Sequence, residues 1–208
     1  MNQPSPSSAR QLTSRGRRTR QQLLDAAELV FGEKGFEASS IAEITQRADV
    51  ALGTFYVYFE NKHALFVELV AQLGERLRKT LSTAVKGQTT RLEKERAGFR
   101  AFFEFAGKHR NLYRIVRQAE FVDEAVYLDY YRKLAAAYAR GLKASMEQGE
   151  LGRFDPEVIA YALMGIADFL GMRFVLWNEP EQLERAVDEV VEFIAHGLRS
   201  PARLKERP

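Results

Sequence analysis

The sequence contains no cysteine and only three histidines, His63, His109 and His196. These absences exclude disulfide scaffolds, cysteine-based zinc sites and thiol nucleophiles. The sequence also lacks the catalytic and phosphate-binding motifs GxGxxG, GxxxxGK[ST], HExxH and GxSxG. We therefore expect no enzyme activity, no catalytic residue, no metal site and no cofactor. With 46% hydrophobic and 28% charged residues over 208 positions, the composition is instead typical of a folded globular protein.

Acidic residues are missing from the first 20 positions, which hold Arg10, Arg15, Arg17, Arg18 and Arg20. The whole chain has a net charge of only +3, so its basicity is concentrated at this end. Two interpretations stay open: an arm that contacts phosphates or the minor groove of DNA, or a solvated tail. The same segment lacks the apolar stretch of a secretion signal, so we expect a cytoplasmic protein.

A long uncharged hydrophobic run is missing as well. The most apolar stretch, residues 158–177, contains Asp168 and Arg173. Charged side chains are costly inside a lipid bilayer. We therefore expect this stretch to form a buried helix of a soluble protein, and we expect no association with a membrane.

Helical periodicity dominates the chain, and no segment shows the alternation of a half-buried strand. The pattern predicts an all-α fold. The predicted helices span about 18–34, 41–47, 51–58, 62–85, 112–120 and 156–177, and three further helices carry the apolar stripes that begin at Phe99, Tyr127 and Leu183. Ser40 and Glu43 have the spacing of a capping box, in which each side chain pairs with a free backbone amide at the start of a helix.

Two of the predicted helices, 41–47 and 51–58, are very short and are separated by a few residues, which is the spacing of a helix-turn-helix unit. A rotation of roughly 100° per residue along the second helix places Phe55 and Phe59 in the core. The same rotation turns outward an uncharged face composed of Gly53, Thr54, Tyr56 and Val57, with Leu52 at its rim. A solvated helix face normally carries charge, so this one indicates a contact surface for DNA. The alternative is that Tyr56 and Tyr58 only cover the small core.

Residues 20–66 resemble the DNA-binding domain of the tetracycline-repressor (TetR/AcrR) family of bacterial regulators. The resemblance rests on the A-x-x-x-F-x-x-x-G-F run from Ala27 to Phe36, the Ser39-Ser40-Ile41 cap and the G-T-x-Y-x-Y-F-x-N-K string from Gly53 to Lys62. It implies about nine helices, a homodimer and a C-terminal ligand-binding domain. The expected divisions are a disordered basic arm (1–16), a helix-turn-helix DNA-binding domain (17–63) and a helical effector-binding and dimerisation domain (64–208).

The resemblance also implies which residues contact DNA. It places phosphate contacts on Ser40, Tyr56, Tyr58 and Lys62, and base contacts on Leu52, Gly53 and Thr54. The sequence departs from the family pattern at Asp49, where the turn usually has glycine, and at Ala51, where the recognition helix often begins with serine. The missing serine removes one capping hydroxyl, and we expect Arg17, Arg18 and Arg20 to compensate electrostatically.

In the C-terminal domain we expect the last two helices to form the homodimer interface and the aromatic residues to surround a ligand. Candidate ligand contacts are the aromatic residues Phe103, Tyr127, Tyr131, Phe169 and Trp177 and the basic residues Arg114, Arg117 and Arg173. Asp168 and Glu120 are acidic candidates in the same apolar stretches.

The segments YRIVRQAEFVDEAVYLDYYRKL and LMGIADFLGMRFVLW are similar to effector domains of family members that control fatty-acid metabolism. This similarity implies a lipophilic effector such as a long-chain acyl-CoA. The expected function is therefore a repressor that such an effector releases from a palindromic DNA operator, although activation stays open. The main alternative is a helical lipophile carrier that does not bind DNA.

Overall fold

The computed structural model describes residues 13–177 and 183–198. These ranges contain nine α-helices and no β-strand, which confirms the all-α fold. The helices are α1 (Ser14–Lys34), α2 (Ile41–Arg47), α3 (Leu52–Tyr58), α4 (Lys62–Val85), α5 (Arg91–Lys108), α6 (Leu112–Val122), α7 (Glu124–Glu147), α8 (Pro156–Gly171) and α9 (Leu183–Gly197).

Helix α1 begins at Ser14, four residues earlier than the sequence predicts. Its start is fixed by Thr13, whose hydroxyl accepts a hydrogen bond from the Gly16 backbone amide at 3.1 Å. Residues 14–16, which the sequence assigns to a disordered arm, are therefore helical. Arg10 lies outside the described residues.

Helices α1, α2 and α3 and the first half of α4 pack around one core. Its fully buried side chains include Leu23, Ala27, Phe31, Ile44, Phe55, Leu65 and Phe66. The predicted capping box at the start of α2 is present. Ser40 Oγ accepts from the Glu43 amide at 3.2 Å, and the Glu43 carboxylate accepts from the Ser40 amide at 3.1 Å. These contacts fix the direction in which α2 leaves the loop after α1.

Helix α4 continues from this unit into the second one, where it packs against α5, α6 and α7. A second core lies between α5, α7, α8 and α9 and includes Phe99, Phe103, Leu142, Leu163, Val187 and Val191. Helix α5 begins with another capping box, formed by Thr90 and Glu93. Hydrogen bonds from the Thr89 side chain and from Thr90 lower the pKa of Glu93 to about 2.

Helix α8 is less buried than the sequence predicts. It packs on α5 and α7, and only Ala160, Leu163 and Gly171 are buried. Its opposite side is apolar and exposed, with Val158 62% and Phe169 69% accessible. The segment Pro156–Leu176 is long and apolar enough to cross a membrane, but core helices of soluble proteins have the same length and composition.

The sequence predicts one continuous α-helix through Trp177, whereas the helix widens to a π-helical segment at Met172–Leu176. The Trp177 amide donates to the Met172 carbonyl at 3.1 Å, which is the five-residue spacing of a π turn. Just before the widening, the Tyr113 side chain of α6 packs against Gly171 so closely that a Cβ there would overlap its hydroxyl. The end of α8 is thus fitted to a side chain of α6.

Candidate nucleic-acid interface and internal cavity

Helix α3 presents the side of the molecule that the sequence predicts to contact DNA. Phe55 is fully buried and Phe59 is 4% exposed, so the two phenylalanines hold α3 on the core as predicted. The outward residues are Leu52, Gly53, Thr54, Tyr56 and Val57, which we call the recognition face. Thr54 is half-buried and the other four are exposed, with Val57 71% accessible. The recognition face is therefore uncharged, largely apolar and open.

Two small residues shape the start of α3. No atom lies within 4 Å of the position that a Cβ on Gly53 would take, so the fold does not require glycine there. Ala51 occupies the N-cap position and offers no side-chain hydrogen bond, which agrees with the loss predicted from the sequence. The bare edge at Gly53 allows another molecule to approach the backbone of α3 closely.

The turn between α2 and α3 uses a left-handed backbone conformation at Asp49, with φ of 55°. Glycine adopts this conformation most easily, and aspartate is among the few other residues that tolerate it. The turn is closed by the Val50 amide, which donates to the Thr45 carbonyl at 3.0 Å. Asp49 therefore adopts a backbone conformation for which glycine is the usual residue.

A cleft separates the start of α1 from the start of α3. It is lined by Arg15, Arg18, Thr19, Gln22, Asp49, Val50, Ala51 and Thr54. Arg15 and Arg18 are exposed, so two guanidinium groups flank the recognition face. Arg17 is also exposed on α1, although the cleft does not include it. This arrangement provides cations next to an uncharged face, as contact with a phosphate backbone and bases requires.

Arg20 does not belong to this basic group, contrary to the sequence-based expectation. It forms an ion pair with Glu68 on α4, and its guanidinium lies 5.0 Å from the centre of the Phe59 ring. The side chain therefore ties α1 to α4 and is directed toward the core. Its charge is largely compensated within the protein.

The remaining predicted phosphate contacts differ in accessibility. Ser40 is exposed at the start of α2, and Tyr56 is 58% accessible. Tyr58 is half-buried and packs against the core, so the covering role left open for the tyrosines applies to Tyr58 and not to Tyr56. Lys62 has an internal role, because its ammonium donates to the backbone carbonyls of Phe36 at 2.6 Å and Ser39 at 2.8 Å. A phosphate contact by Lys62 would compete with these bonds.

An internal cavity of about 490 Å³ lies in the second unit, between α4, α5, α6, α7 and α8. Of the eight predicted ligand contacts, Arg117 and Tyr131 line it. The wall also contains the aromatic side chains Phe99, Phe102, Tyr113, Tyr130 and Tyr138 and the charged side chains Arg78, Arg91, Lys94, Glu95, Arg140 and Asp168. The cavity is thus the size of a small-molecule site, with apolar walls and a few polar groups.

Six predicted ligand contacts do not line the cavity. Phe103 is 1% exposed and belongs to the second core. Phe169 and Trp177 lie on the exposed side of the α8 segment. Apolar residues surround most of the circumference of this helix, so the sequence does not reveal which side of it faces the cavity.

The other three predicted contacts that lie outside the cavity wall are Arg114, Arg173 and Tyr127. Arg114 donates to the Gly32 carbonyl of α1 at 2.9 Å, and the Arg173 guanidinium lies over the Phe174 ring. Tyr127 packs edge-on against Tyr131 with ring centres 5.0 Å apart, and so supports a lining residue. Glu120 is exposed on α6 and is absent from the cavity wall.

Most residues of the cavity wall were not predicted from the sequence. Tyr130 and Tyr138 belong to the apolar stripe of α7 that the sequence reveals, but their inward direction depends on the position of α5 and α8. Tyr113 likewise belongs to an apolar stripe on α6, and its inward direction depends on the neighbouring helices. Lys94 and Arg140 had no sequence signal, because charged residues on amphipathic helices normally face solvent.

One end of the cavity, which we call the α6 end, is formed by Tyr113, Arg117, Tyr130, Tyr131 and Asp168. Burial raises the pKa of the Asp168 carboxyl, and the nearby Arg117 opposes this effect. Burial also raises the pKa of the three tyrosine hydroxyls, and the Asp168 charge adds to that shift. The tyrosines are therefore protonated and can donate hydrogen bonds, and the Tyr113 hydroxyl already donates weakly to the Asp168 backbone carbonyl at 3.5 Å.

The opposite end, which we call the distal end, lies between the end of α4, the start of α5 and the second half of α7. Exposed wall residues concentrate there and include Ser82, Arg140, Gly141, Ala144 and Gln148. Close by, Arg91 and Glu95 form a buried ion pair, with Arg91 Nε donating to Glu95 at 2.7 Å. The Tyr138 hydroxyl donates to the other oxygen of Glu95, so this carboxylate is satisfied internally.

Helix α6 connects the cavity with the DNA-binding unit. Its Tyr113 and Arg117 face the cavity, whereas Gln118 faces the end of α1. The Gln118 side-chain oxygen accepts from the Phe36 amide at 2.5 Å. This contact links the wall of the cavity to the loop that follows α1.

Histidine–carboxylate contacts flank α6 on both sides. His109, just before α6, lies with Nδ1 2.9 Å from Glu28 of α1. Asp123, just after α6, lies 3.0 Å from Nε2 of His63, the second residue of α4. Both ends of α6 are thus joined to helices of the DNA-binding unit.

Comparisons with known proteins agree with this geometry. Residues 23–69 match the model of the bacterial regulatory proteins of the tetR family. The chain is 30% identical over 181 residues to the transcriptional activator FasR of Mycolicibacterium smegmatis, covering 86% of this chain and 82% of FasR. It is 24% identical over 185 residues to the fatty acid metabolism regulator protein of Bacillus subtilis, covering 86% of this chain and 95% of the relative.

A solved structure has the same fold. The transcriptional regulator FadR of Bacillus subtilis, determined in complex with stearoyl-CoA, superposes with a TM-score of 0.76 at 22% identity. The match covers 86% of this chain and 99% of FadR. The helical architecture therefore extends across both units.

Proposed function

Because this chain belongs to the tetracycline-repressor (TetR) family of bacterial DNA-binding transcriptional regulators, we propose that it is a cytoplasmic repressor that an elongated lipophile releases from a palindromic operator. The observation that carries the DNA-binding part is the exposed, uncharged recognition face of α3 beside Arg15 and Arg18. The alternative, a lipophile carrier that does not bind DNA, gives no reason for an exposed uncharged face at this position.

In this proposal α3 enters the major groove. Leu52, Gly53 and Thr54 approach the base edges, and Tyr56 donates to a phosphate. Ser40 and Tyr58 add backbone contacts, and Arg17 and Arg18 neutralise phosphates from α1. Lys62 then acts chiefly by holding the loop before α2, through its bonds to carbonyls.

A palindromic operator requires two copies of this chain. The exposed apolar residues Val158, Tyr161 and Phe169 of α8 and Phe193 of α9 favour a homodimer through the last two helices. Two recognition helices spaced by about one turn of DNA, roughly 34 Å, would then contact the two half-sites.

The shape and charge of the cavity support a long amphiphile as the effector. Its lining residues on α7 run from Tyr130 to Gln148, which corresponds to about 27 Å along the helix at 1.5 Å per residue. Lys94 and Arg140 make no ion pair within the described part of the chain and are suited to an anionic head group. A long-chain acyl-CoA is a member of this class.

Release of DNA follows from the position of α6. An occupant in contact with Tyr113 and Arg117 favours arrangements in which α6 has moved, and Gln118 transmits that movement to α1. The effector then weakens operator binding by its preference for the moved arrangement, typically by about 1–3 kcal/mol.

Selection of bound duplexes from random DNA, followed by titration at several salt concentrations, tests DNA binding. We expect Thr54→Ala and Tyr56→Ala to weaken binding at least tenfold, and Thr83→Ala on the exposed side of α4 to leave it unchanged. Equal binding by all three variants would refute the assignment of α3.

A second pair of variants tests the cations. Removing one phosphate contact lowers the salt slope of log K by about 1. We expect this change for Arg18→Ala and not for Arg132→Ala, which removes the same charge from the exposed side of α7. A wild-type affinity that does not depend on salt would contradict the role of the arginines.

Operator titrations with and without palmitoyl-CoA test the effector. We expect a rise in the melting temperature of the protein and a lower affinity for the operator. A response only to cationic or aromatic drugs would refute the assignment of the lipophile, and a higher operator affinity with ligand would identify an activator.

A further inference from the structure

The α6 end of the cavity carries more polar groups than the end of a plain alkyl chain can pair with. Asp168 lies there with three tyrosines and is partly withdrawn from water. Its carboxylate makes no hydrogen bond and no ion pair with any side chain in residues 13–177 and 183–198, in contrast to Glu95, which is fully paired in the same cavity. Partly buried charges without partners are unfavourable, so Asp168 is suited to a partner that the ligand supplies.

The groups around Asp168 restrict the chemistry of that partner. Arg117 is close enough to affect the Asp168 carboxyl but forms no ion pair with it. Its guanidinium donates to the Met172 sulfur at 2.7 Å. A methionine sulfur is a weak acceptor, so Arg117 retains capacity for a better one. A ligand group suited to this end donates a hydrogen bond to Asp168 and accepts one from Arg117 or from a tyrosine. A hydroxyl group on the ligand can do both.

The two ends of the cavity are therefore polar for different reasons. The distal end offers Lys94 and Arg140, and the middle is lined by Phe99, Leu134 and other apolar side chains. We propose that the effector is an elongated lipophile with polar groups at both ends, an anionic head at the distal end and a hydroxyl at the α6 end beside Asp168. This inference rests on the effector-binding part of the proposed function and names its ligand class.

The test compares two free acids of equal length, hexadecanoic acid and 16-hydroxyhexadecanoic acid, bound to the full-length protein and measured by calorimetry. Because a hydrogen bond to a partly buried carboxylate is strong, we expect the hydroxylated acid to bind at least about tenfold more tightly. Equal affinities, failure of both acids to bind, or a preference for the plain acid would overturn the proposal.

Two variants test whether the preference for the hydroxylated acid arises at the α6 end of the cavity. Asp168→Leu should reduce the preference to less than twofold by improving the binding of hexadecanoic acid and weakening that of its hydroxylated analogue. Arg140→Ala should weaken both acids equally and preserve their ratio, because both share the carboxylate head. A preference that persists in Asp168→Leu, or that disappears in Arg140→Ala, contradicts the assignment. Melting curves without ligand establish that each variant is folded.

The outcome is independent of the tests of DNA binding and release. If palmitoyl-CoA releases the operator but the two acids bind equally, the proposed function stands and the two-ended ligand is wrong. If the hydroxylated acid is preferred but no lipophile changes operator affinity, the ligand class stands and the regulatory role is wrong.

Discussion

Replacing Gly53 by alanine should act in opposite directions on folding and on operator binding. The added Cβ meets no atom of the protein within 4 Å, so it causes no steric strain. Alanine also favours a helix over glycine by about 0.5–1 kcal/mol. For a chain of this length, thermal denaturation should then show a melting temperature higher by about 1–4 °C.

The same methyl group occupies the space in which α3 would approach the edge of a base. Loss of one specific contact costs about 1–3 kcal/mol, which is roughly a 5- to 150-fold loss of affinity in an operator titration. Gly107→Ala is a matched control, because its Cβ on α5 would make only an ordinary contact with Val175 at 3.8 Å. It should stabilise the fold and leave DNA binding unchanged. A stabilised Gly53→Ala protein with full operator affinity would refute the close approach.

Three further changes test other contacts. Gln118→Ala leaves the Phe36 amide without its acceptor, so we expect a loss of about 1–3 kcal/mol in chemical denaturation and a smaller effect of ligand on operator affinity. Glu93→Gln should lower the melting temperature at pH 7, and because the pKa of Glu93 is lowered to about 2, the difference from wild type should disappear as the pH falls from 4.5 toward that value. Gly171→Ala should destabilise the protein by about 1–3 kcal/mol by overlap with the Tyr113 hydroxyl. In a Tyr113→Phe background the nearest atoms lie at 3.2 Å, and the penalty should be much smaller.

The DNA-binding unit was predictable because its signals are local. The capping box at Ser40 and the apolar spacing of Phe55 and Phe59 depend on residues a few positions apart, and the structure confirms them. The error at the start of α1 is also local, since Thr13 was not recognised as a cap. Arg20 could not be assigned from sequence, because its partner Glu68 lies 48 positions away.

The effector cavity was much less predictable. Of the candidate ligand contacts, Arg117, Tyr131 and Asp168 line its wall, whereas Phe169 and Trp177 are exposed. Periodicity reveals that a helix has an apolar face, yet α8 is apolar around most of its circumference. Which side becomes a cavity wall is decided by the neighbouring helices and by the packing of Tyr113 against Gly171.

The left-handed backbone at Asp49 has a consequence for how this regulator can diversify. Replacement by glycine would relieve about 1 kcal/mol of steric cost without altering any side chain of α3. A β-branched residue there would add strain to the turn that precedes α3. We therefore expect natural variants at position 49 to be limited to residues that tolerate this backbone conformation. Changes in operator preference can then arise independently, from substitutions along α3.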